Sequence, residues 1–529
     1  MKTFNSHFIP ILNTLLLTLT IAISQSVVAA DHTKAALIPK PVSVKTTDGF
    51  FELKDNAIIR ITDETPEIKQ VAKYLADKLN PATGFNVTVQ TSGETPSSNC
   101  IQLETDTSNN QLGKEGYELS VSTEHIRLVA NTPEGIFHGI QTIRQLLPAT
   151  IECNKPQKGP WKIANCTIVD YPAYAYRGAM LDVARHFFGA GDIKRFIDLI
   201  AAYKMNVLHL HLADDQGWRI EIKSWPALTE IGSLTQVGGG KGGFYTQETF
   251  KELVKYAAER YVTIIPEIDM PGHTNAALAS IPELNPDNQP TGAYTGTHVG
   301  FSTLQTNKEF TYQFLNDVIR ELAALTPGPY FHVGGDESHV TKKEDYIPFI
   351  EQVQEIVQAN GKQMIGWDET TLSALKPTSV AQYWSKAENA TRGVSKGVKI
   401  IMSPAAKAYV DMKYNSKTQH GLHWAGYIEV DTGYKWDPAT LVPGIKKENI
   451  LGIECPLWSE TISNLEEIES LLFPRLPGYA EIGWTDAADR KWEEYKFRLG
   501  RQAERFKLMD IHYYPSTKVP WKSIKSENN

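Results

Sequence analysis

With 529 residues, 41% hydrophobic and 22% charged, the chain has an ordinary globular composition and is too long for one compact core, so two domains are expected. A net charge of -8 and a pI near 6.0 argue against a nucleic-acid partner or an anionic membrane surface. Four cysteines are too sparse for a disulfide framework, so stability is expected from packing; Cys153 and Cys166 are close enough in sequence to bridge, with all pairings left open.

From the N-terminus, residues 1–30 read as a signal peptide. Lys2 and His7 precede an apolar run over 9–23, and Val28-Ala29-Ala30 supplies small residues before Asp31. That run is about fifteen residues, short of the ~20 that a spanning helix needs. No later stretch is apolar enough to span a bilayer, so the mature protein is expected to be soluble, without a membrane partner, and exported to the periplasm or outside the cell.

Residues 31–170 read as a smaller α+β domain. Strands are expected over 57–61 and 85–89, and a helix over 67–79 with Val71, Tyr74, Leu75 and Leu79 on one face. A second helix over 133–147 carries Ile136, Ile140, Ile143 and Leu147. The block shows no cluster of chemical groups, so a structural role is expected. Asn86, Asn165 and Asn389 occupy N-x-T sequons.

From Tyr176 onwards, short apolar runs alternate with helical segments. Eight runs stand out, at 178–182, 206–213, 262–268, 330–333, 363–367, 380–384, 398–402 and 450–453. Within 171–529 this predicts a (β/α)8 TIM barrel with inserted loops. A doubly wound open sheet is the rival, but no G-x-G-x-x-G opens a helix after a first strand. The segments 232–244 and 285–303 are Gly-, Thr- and Pro-rich loops. Gly238-Gly239-Gly240-Lys241-Gly242-Gly243 lacks the K-[ST] ending of a phosphate cradle and reads as a flexible loop.

Polar residues gather where these runs end, which is where barrel active sites form. The first ends in Asp182-Val183-Ala184-Arg185-His186, with Arg177 near its start; the second reads His209-Leu210-His211-Leu212-Ala213-Asp214-Asp215-Gln216. The third ends in Asp269-Met270-Pro271-Gly272-His273, the fourth in Gly334-Gly335-Asp336-Glu337, the fifth in Trp367-Asp368-Glu369, the sixth in Tyr383-Trp384 and the eighth in Trp458-Ser459-Glu460. Seven of eight runs ending this way do not look like solvent-facing decoration. Adjacent carboxylates on an emerging strand point to different sides, so Asp336 and Glu337 can take different roles. The two glycines before them let the backbone turn closely beneath a ligand.

His332-Val333-Gly334-Gly335-Asp336-Glu337 resembles the H-x-G-G-D-E motif of family 20 glycoside hydrolases, the β-N-acetylhexosaminidases. Further matches are Y-R-G-x-M-L-D-x-A-R-H, which contains Arg177, and the segments 209–218, 266–273, 366–369 and 457–460. The resemblance spans most of 170–515 and implies an exo-acting hydrolase. Its substrate would be a carbohydrate with a terminal β-linked GlcNAc or GalNAc. Hydrolysis would retain configuration through an oxazolinium-type intermediate formed by the substrate's own acetamido group.

The same resemblance assigns roles. Glu337 would be the general acid and then base. Asp336 would orient the acetamido group, and Tyr409 would hydrogen-bond its oxygen. Trp367, Trp384 and Trp458 would wall the acetyl pocket, with Trp424 as a further platform. Arg177, Glu460 and Asp411 would hold outer hydroxyls, and His273 with Asp214 would support Glu337. No cofactor and no metal is implied. A protonated Glu337 near neutral pH calls for a raised pKa from burial or negative neighbours.

Three rivals stand beside this. His209-x-His211 places two imidazoles on one side of a strand, as a metal-dependent barrel hydrolase would; hydrogen-bonded core histidines are the plainer reading. The tryptophans would equally suit a carbohydrate-binding barrel without catalysis, although both Asp336 and Glu337 are present. An endo-acting glycosidase is disfavoured because Arg177 and Glu460 would cap the terminal sugar.

Overall fold

The computed structural model describes residues 36–91 and 98–521; the expected leader at 1–30 lies outside them. Two β systems follow one another along the chain. The first is a seven-stranded sheet in the order β1-β7-β5-β6-β4-β2-β3. Its strands are β1 (Ser43–Leu53), β2 (Ile58–Ile61), β3 (Thr88–Gln90), β4 (Cys100–Thr105), β5 (Tyr117–Val121), β6 (His125–Ala130) and β7 (Trp161–Asp170). The helices Pro66–Thr83 and Pro133–Leu146 bury the apolar stripes predicted for them, including Val71, Leu75, Leu79, Ile136, Ile140 and Ile143. Each begins with proline in its first turn, where a missing N–H costs nothing. The first ends at Gly84, whose φ of 70° is the left-handed cap that glycine favours.

The second system is a closed parallel barrel of β8 (Tyr176–Asp182), β9 (Val207–His211), β12 (Thr263–Glu267), β13 (Tyr330–His332), β14 (Gln363–Trp367), β15 (Val380–Tyr383), β16 (Lys399–Met402) and β17 (Ile450–Leu457). A two-stranded ribbon, β10 (Ala213–Asp214) and β11 (Gly217–Trp218), projects after β9. All eight predicted runs overlap a barrel strand, and β17 closes on β8 from Gly452 with Tyr176 to Leu457 with Leu181. The open-sheet alternative is thereby excluded. Barrel-facing positions such as Ile265, Ile365, Val380 and Ile401 form a buried cluster.

The first sheet and the barrel share buried polar contacts. Arg177 reaches down to Glu115, while Lys204 Nζ lies 2.8 Å from Asp170 and donates to Tyr117 Oη at 2.8 Å. Trp484 Nε1 donates to the same Asp170 at 2.8 Å. Paired in this way, the charges can be buried without an uncompensated cost. All four cysteines are free thiols, so the suggested pairing of Cys153 with Cys166 is not formed. Asn389 is buried with its amide on Asp368, and Asn165 is buried with its amide on Asp48 O; both sequons are thereby occupied by the fold. The loop 232–244, whose glycine run 238–243 is expected to be merely flexible, is tied down. Buried Arg219 donates to the carbonyls of Ser233, Thr235 and Gly243, and Gly238 N–H donates to Thr295 O. Among the described residues no helix is long and apolar enough to cross a membrane.

Candidate active site

The barrel opens at the C-terminal ends of its strands onto a cavity of about 260 Å³. Its walls include Arg185, Asp336, Glu337, Trp384, Tyr409 and Trp458, with Glu460 beside them. The mouth is formed by Thr297 and Val299 from one loop and by Leu422 and Trp424 from another.

After β13, the backbone makes a left-handed turn through Gly334 (φ 63°), Gly335 (φ 97°) and Glu337 (φ 42°). The sequence reading put a ligand over the two glycines. Instead Asp269 lies there: a Cβ on Gly334 would sit 1.9 Å from its Oδ1, and Gly335 N–H donates to the same oxygen at 3.0 Å. The glycines therefore let a carboxylate from the third strand end pack directly against the turn. That turn presents Asp336 as a buried group and Glu337 as a partly exposed one. His273 (φ 56°) is also left-handed, so two non-glycine residues of the predicted site hold a backbone conformation that costs energy and collects at functional sites.

His273 links the carboxylates. Its Nδ1 is 3.3 Å from Asp214 Oδ1, and its Nε2 is 3.6 Å from Glu337 Oε2 and 3.7 Å from Asp336 Oδ2. Burial alone would strip its proton, but Asp214, Glu337 and Asp336 outweigh it and hold the imidazolium well above the usual histidine range. Burial would also raise Glu337, yet hydrogen bonding and charge from His273, aided by Arg185, leave it below its ordinary value. This corrects the expected raised Glu337, because the positive neighbour outweighs burial. Asp336 behaves oppositely: burial and the adjacent Asp269 lift it well above the carboxylate range. Asp269, likewise buried, is pushed up to about 7.

Arg177 is not in the cavity. It stands at the start of β8, bound to Glu115 and to the carbonyls of Lys204 and Tyr174. At about 3.3 Å per residue, its Cα is roughly 17 Å along the strand from Asp182. The arginine at the pocket is Arg185, which stands 2.9 Å from Asp214 and 3.5 Å from Asp182. Its signal was present in the sequence, since it follows the C-terminal end of the strand where Arg177 precedes the middle. Glu460 lines the cavity within Arg185's field, which opposes the upward push of burial. Asp411 is buried with neither carboxylate oxygen hydrogen-bonded, and burial with the charge of Glu460 holds it well above its usual range.

The aromatic wall is assembled from the segments that follow three strands, β15, β16 and β17. Trp384 lies nearly parallel to Tyr409 at 6.4 Å, and Trp424 stands perpendicular to both at 6.0 Å. Trp367 does not line the cavity; it is buried behind Trp458 at 5.7 Å and donates Nε1–H to Glu267. Glu369 accepts the Trp384 indole N–H at 3.0 Å, and Asp368 accepts backbone N–H groups of Trp384 and Ser385, fixing that wall. Burial, Asp336 and especially Asp368 raise Glu369 to about 8.

His209 and His211 sit below the pocket in a ladder of histidines and carboxylates. His209 lies 2.9 Å from Glu454 and 3.0 Å from Glu267, and His211 lies 2.5 Å from Glu267 and 2.8 Å from Asp214. Each imidazole thus has carboxylate partners on both sides, as the core reading of these two histidines expects.

The segment 174–487 matches the family described as glycosyl hydrolase family 20, catalytic domain, and 34–171 matches its domain 2. A β-N-acetylhexosaminidase of Cellulomonas fimi is 39% identical over 92% of this chain and 97% of its own length. Among solved structures, the family 20 β-N-acetylhexosaminidase of Streptomyces coelicolor A3(2) superposes with a TM-score of 0.89 at 46% identity, covering 92% of this chain and 99% of that one. A mutant β-hexosaminidase of Streptomyces plicatus in complex with the product GlcNAc gives the same TM-score and identity, covering 92% and 98%.

Proposed function

The chain belongs to glycosyl hydrolase family 20, and from that premise we propose the residue roles by which it acts as an exo-β-N-acetylhexosaminidase. The enzyme removes terminal β-linked N-acetylhexosamine by substrate-assisted retaining hydrolysis, the scheme of this family. The observation that carries the roles is the pairing of a partly exposed Glu337 with a buried Asp336 at one aromatic-walled cavity.

Glu337 protonates the leaving oxygen and later activates water. Its proton comes from the unit it forms with His273, whose imidazolium is sustained by Asp214. Asp336 faces the acetamido group as the carbonyl oxygen attacks the anomeric carbon. A carboxyl lifted by burial and by Asp269 ionises most favourably when positive charge develops beside it, so it favours the oxazolinium-like transition state over the bound sugar. Tyr409 is kept a neutral phenol by burial and by Asp336, and so donates to the acetamido oxygen. The nucleophile is covalently attached to the substrate, so effective concentration replaces an enzyme carboxylate.

Trp384 and Trp458 wall the acetyl group, with Trp367 backing them. Arg185, Glu460 and Asp411 take the hydroxyls of the terminal sugar, and the unpartnered oxygens of Asp411 favour that role. Capture of the terminal sugar's hydroxyls by these buried groups is the basis of exo action. We further propose that 1–30 is an export signal and that the mature enzyme works outside the cytoplasm; N-terminal sequencing of secreted protein checks this.

The test uses purified protein on p-nitrophenyl β-GlcNAc and β-GalNAc. Glu337→Gln is expected to lower kcat by about 10²–10⁴-fold with the fold intact, and EDTA to change nothing. Glycan binding without turnover by the native protein would instead establish the binding-barrel reading.

A further inference from the structure

The catalytic cavity uses Trp424 but leaves its neighbours on the same turn without a role. Residues 411–413 and 422–428 belong to one loop closed by a parallel bridge of Met412 with Leu422: Leu422 N–H donates to Asp411 O at 2.9 Å, Lys413 N–H to Leu422 O at 2.7 Å, and Ile428 N–H to Lys413 O at 2.9 Å. Its base is held by buried Arg475, whose guanidinium donates to the carbonyls of Met412, Ile428, Val410 and Leu471. Gly421 (φ 98°) admits the close return, since a Cβ there would sit 2.4 Å from Asp411 O. So anchored, the loop has no structural need of apolar groups at its tip.

The tip is nonetheless aromatic. Trp424 is 58% exposed and Tyr427 46% exposed, with His423 exposed beside them. Gly426 N–H donates to His423 O at 3.0 Å and closes the turn. The rings of His423 and Tyr427 then lie stacked, 5.6 Å apart and 7° from parallel. Each ring thereby holds the other in place and leaves a broad apolar face with polar edges toward solvent. Such a surface suits stacking against the C–H face of a pyranose.

Continuity with the cavity identifies the occupant. Arg185 and Asp411 are buried, whereas Trp424 is among the most exposed large apolar side chains of the protein, so the leaving portion of a bound glycan exits past Trp424. The aromatic surface that shares this turn with Trp424 is the His423 and Tyr427 stack. We propose that this stack is a distal carbohydrate subsite, which holds the second sugar of the leaving group of β-linked N-acetylhexosamine oligomers three or more residues long. The proposal rests on the exo-hexosaminidase reading of the cavity.

The experiment measures kcat and KM of the native enzyme, Tyr427→Ala, His423→Ala and Tyr427→Phe. The substrates are p-nitrophenyl β-GlcNAc and the β-1,4-linked GlcNAc di-, tri- and tetrasaccharides. Both alanine variants are expected to raise KM for the tri- and tetrasaccharide about three- to tenfold, the effect of losing one aromatic contact. Their constants for the disaccharide and the aryl glycoside stay at native values, and Tyr427→Phe keeps the native KM for the tetrasaccharide. An equal change on every substrate, or no change on the tetrasaccharide, overturns the subsite. Failure of the native enzyme to act on any of the four would overturn the reading of the cavity itself.

Discussion

Two arginines flanking the first barrel strand show how position decides chemistry at the residue scale. Arg177 neutralises Glu115 beneath the barrel, while Arg185 faces the cavity beside Asp214. Arg177→Met is expected to cost about 3–5 kcal/mol of stability, because Glu115 is left buried without its partner, with KM unchanged in the folded fraction; thermal unfolding and steady-state kinetics separate the two. Burial would raise Glu115, but Arg177 and His138 outweigh it and hold it far below the ordinary carboxylate range. Its contribution is therefore present above the usual glutamate pKa and is lost as pH falls through the folded value. Arg185→Met is expected to lower kcat/KM about 10–100-fold, the loss of a charged hydrogen bond to the sugar. His273 supplies the pH dependence. Its imidazolium is held well above the usual range, so the proton it shares with Glu337 is retained until pH rises through that value. His273→Asn removes this store, and the basic limb of kcat/KM is expected to move to lower pH; an unmoved limb would show that Glu337 titrates alone.

At the scale of elements, the site consists of strand ends and the turns that follow them. β15 carries Trp384 to the cavity, with Trp367 of β14 behind the wall, because Asp368 caps the start of the next segment, accepting from Trp384 N–H and Ser385 N–H at 3.1 Å and from Asn389 at 2.6 Å. Asp368→Ala is expected to cost about 1–3 kcal/mol and to raise KM through a displaced Trp384, which near-ultraviolet circular dichroism and kinetics would register together. The barrel strands were legible because fully buried parallel strands read as short continuous apolar runs. In the first sheet only β2 and β3 were anticipated. β1 is largely exposed along its length, and β4, β6 and β7 mix buried and solvent-facing residues without a strict period; β5 did carry a clean alternation, Tyr117, Leu119 and Val121 inward with Glu118 and Ser120 between, but over only five residues.

For the whole molecule, the contacts between sheet and barrel are buried and charged: Arg177 with Glu115, Lys204 with Asp170, Arg505 with Glu152. The described residues from 37 onward accordingly group as one compact unit. Calorimetry is expected to give a single cooperative unfolding transition, since separating the layers would strand each of these charges in apolar surroundings. Two transitions would show that the sheet unfolds independently.

The sequence by itself determined the barrel, the order of its strands and the chemistry at their ends, because burial pattern and residue type are local properties of the chain. It also marked Asp336 and Glu337 as a pair. Only the tertiary structure decided which groups meet. It replaced Arg177 with Arg185, put Asp269 rather than a ligand over the glycines, moved Trp367 behind the wall, and set Glu337 below rather than above its ordinary range. Each of these depends on distances between strand ends far apart in sequence. The sign of a carboxyl's shift is the balance of burial against charges a few ångströms away, and that balance is fixed only when the barrel closes.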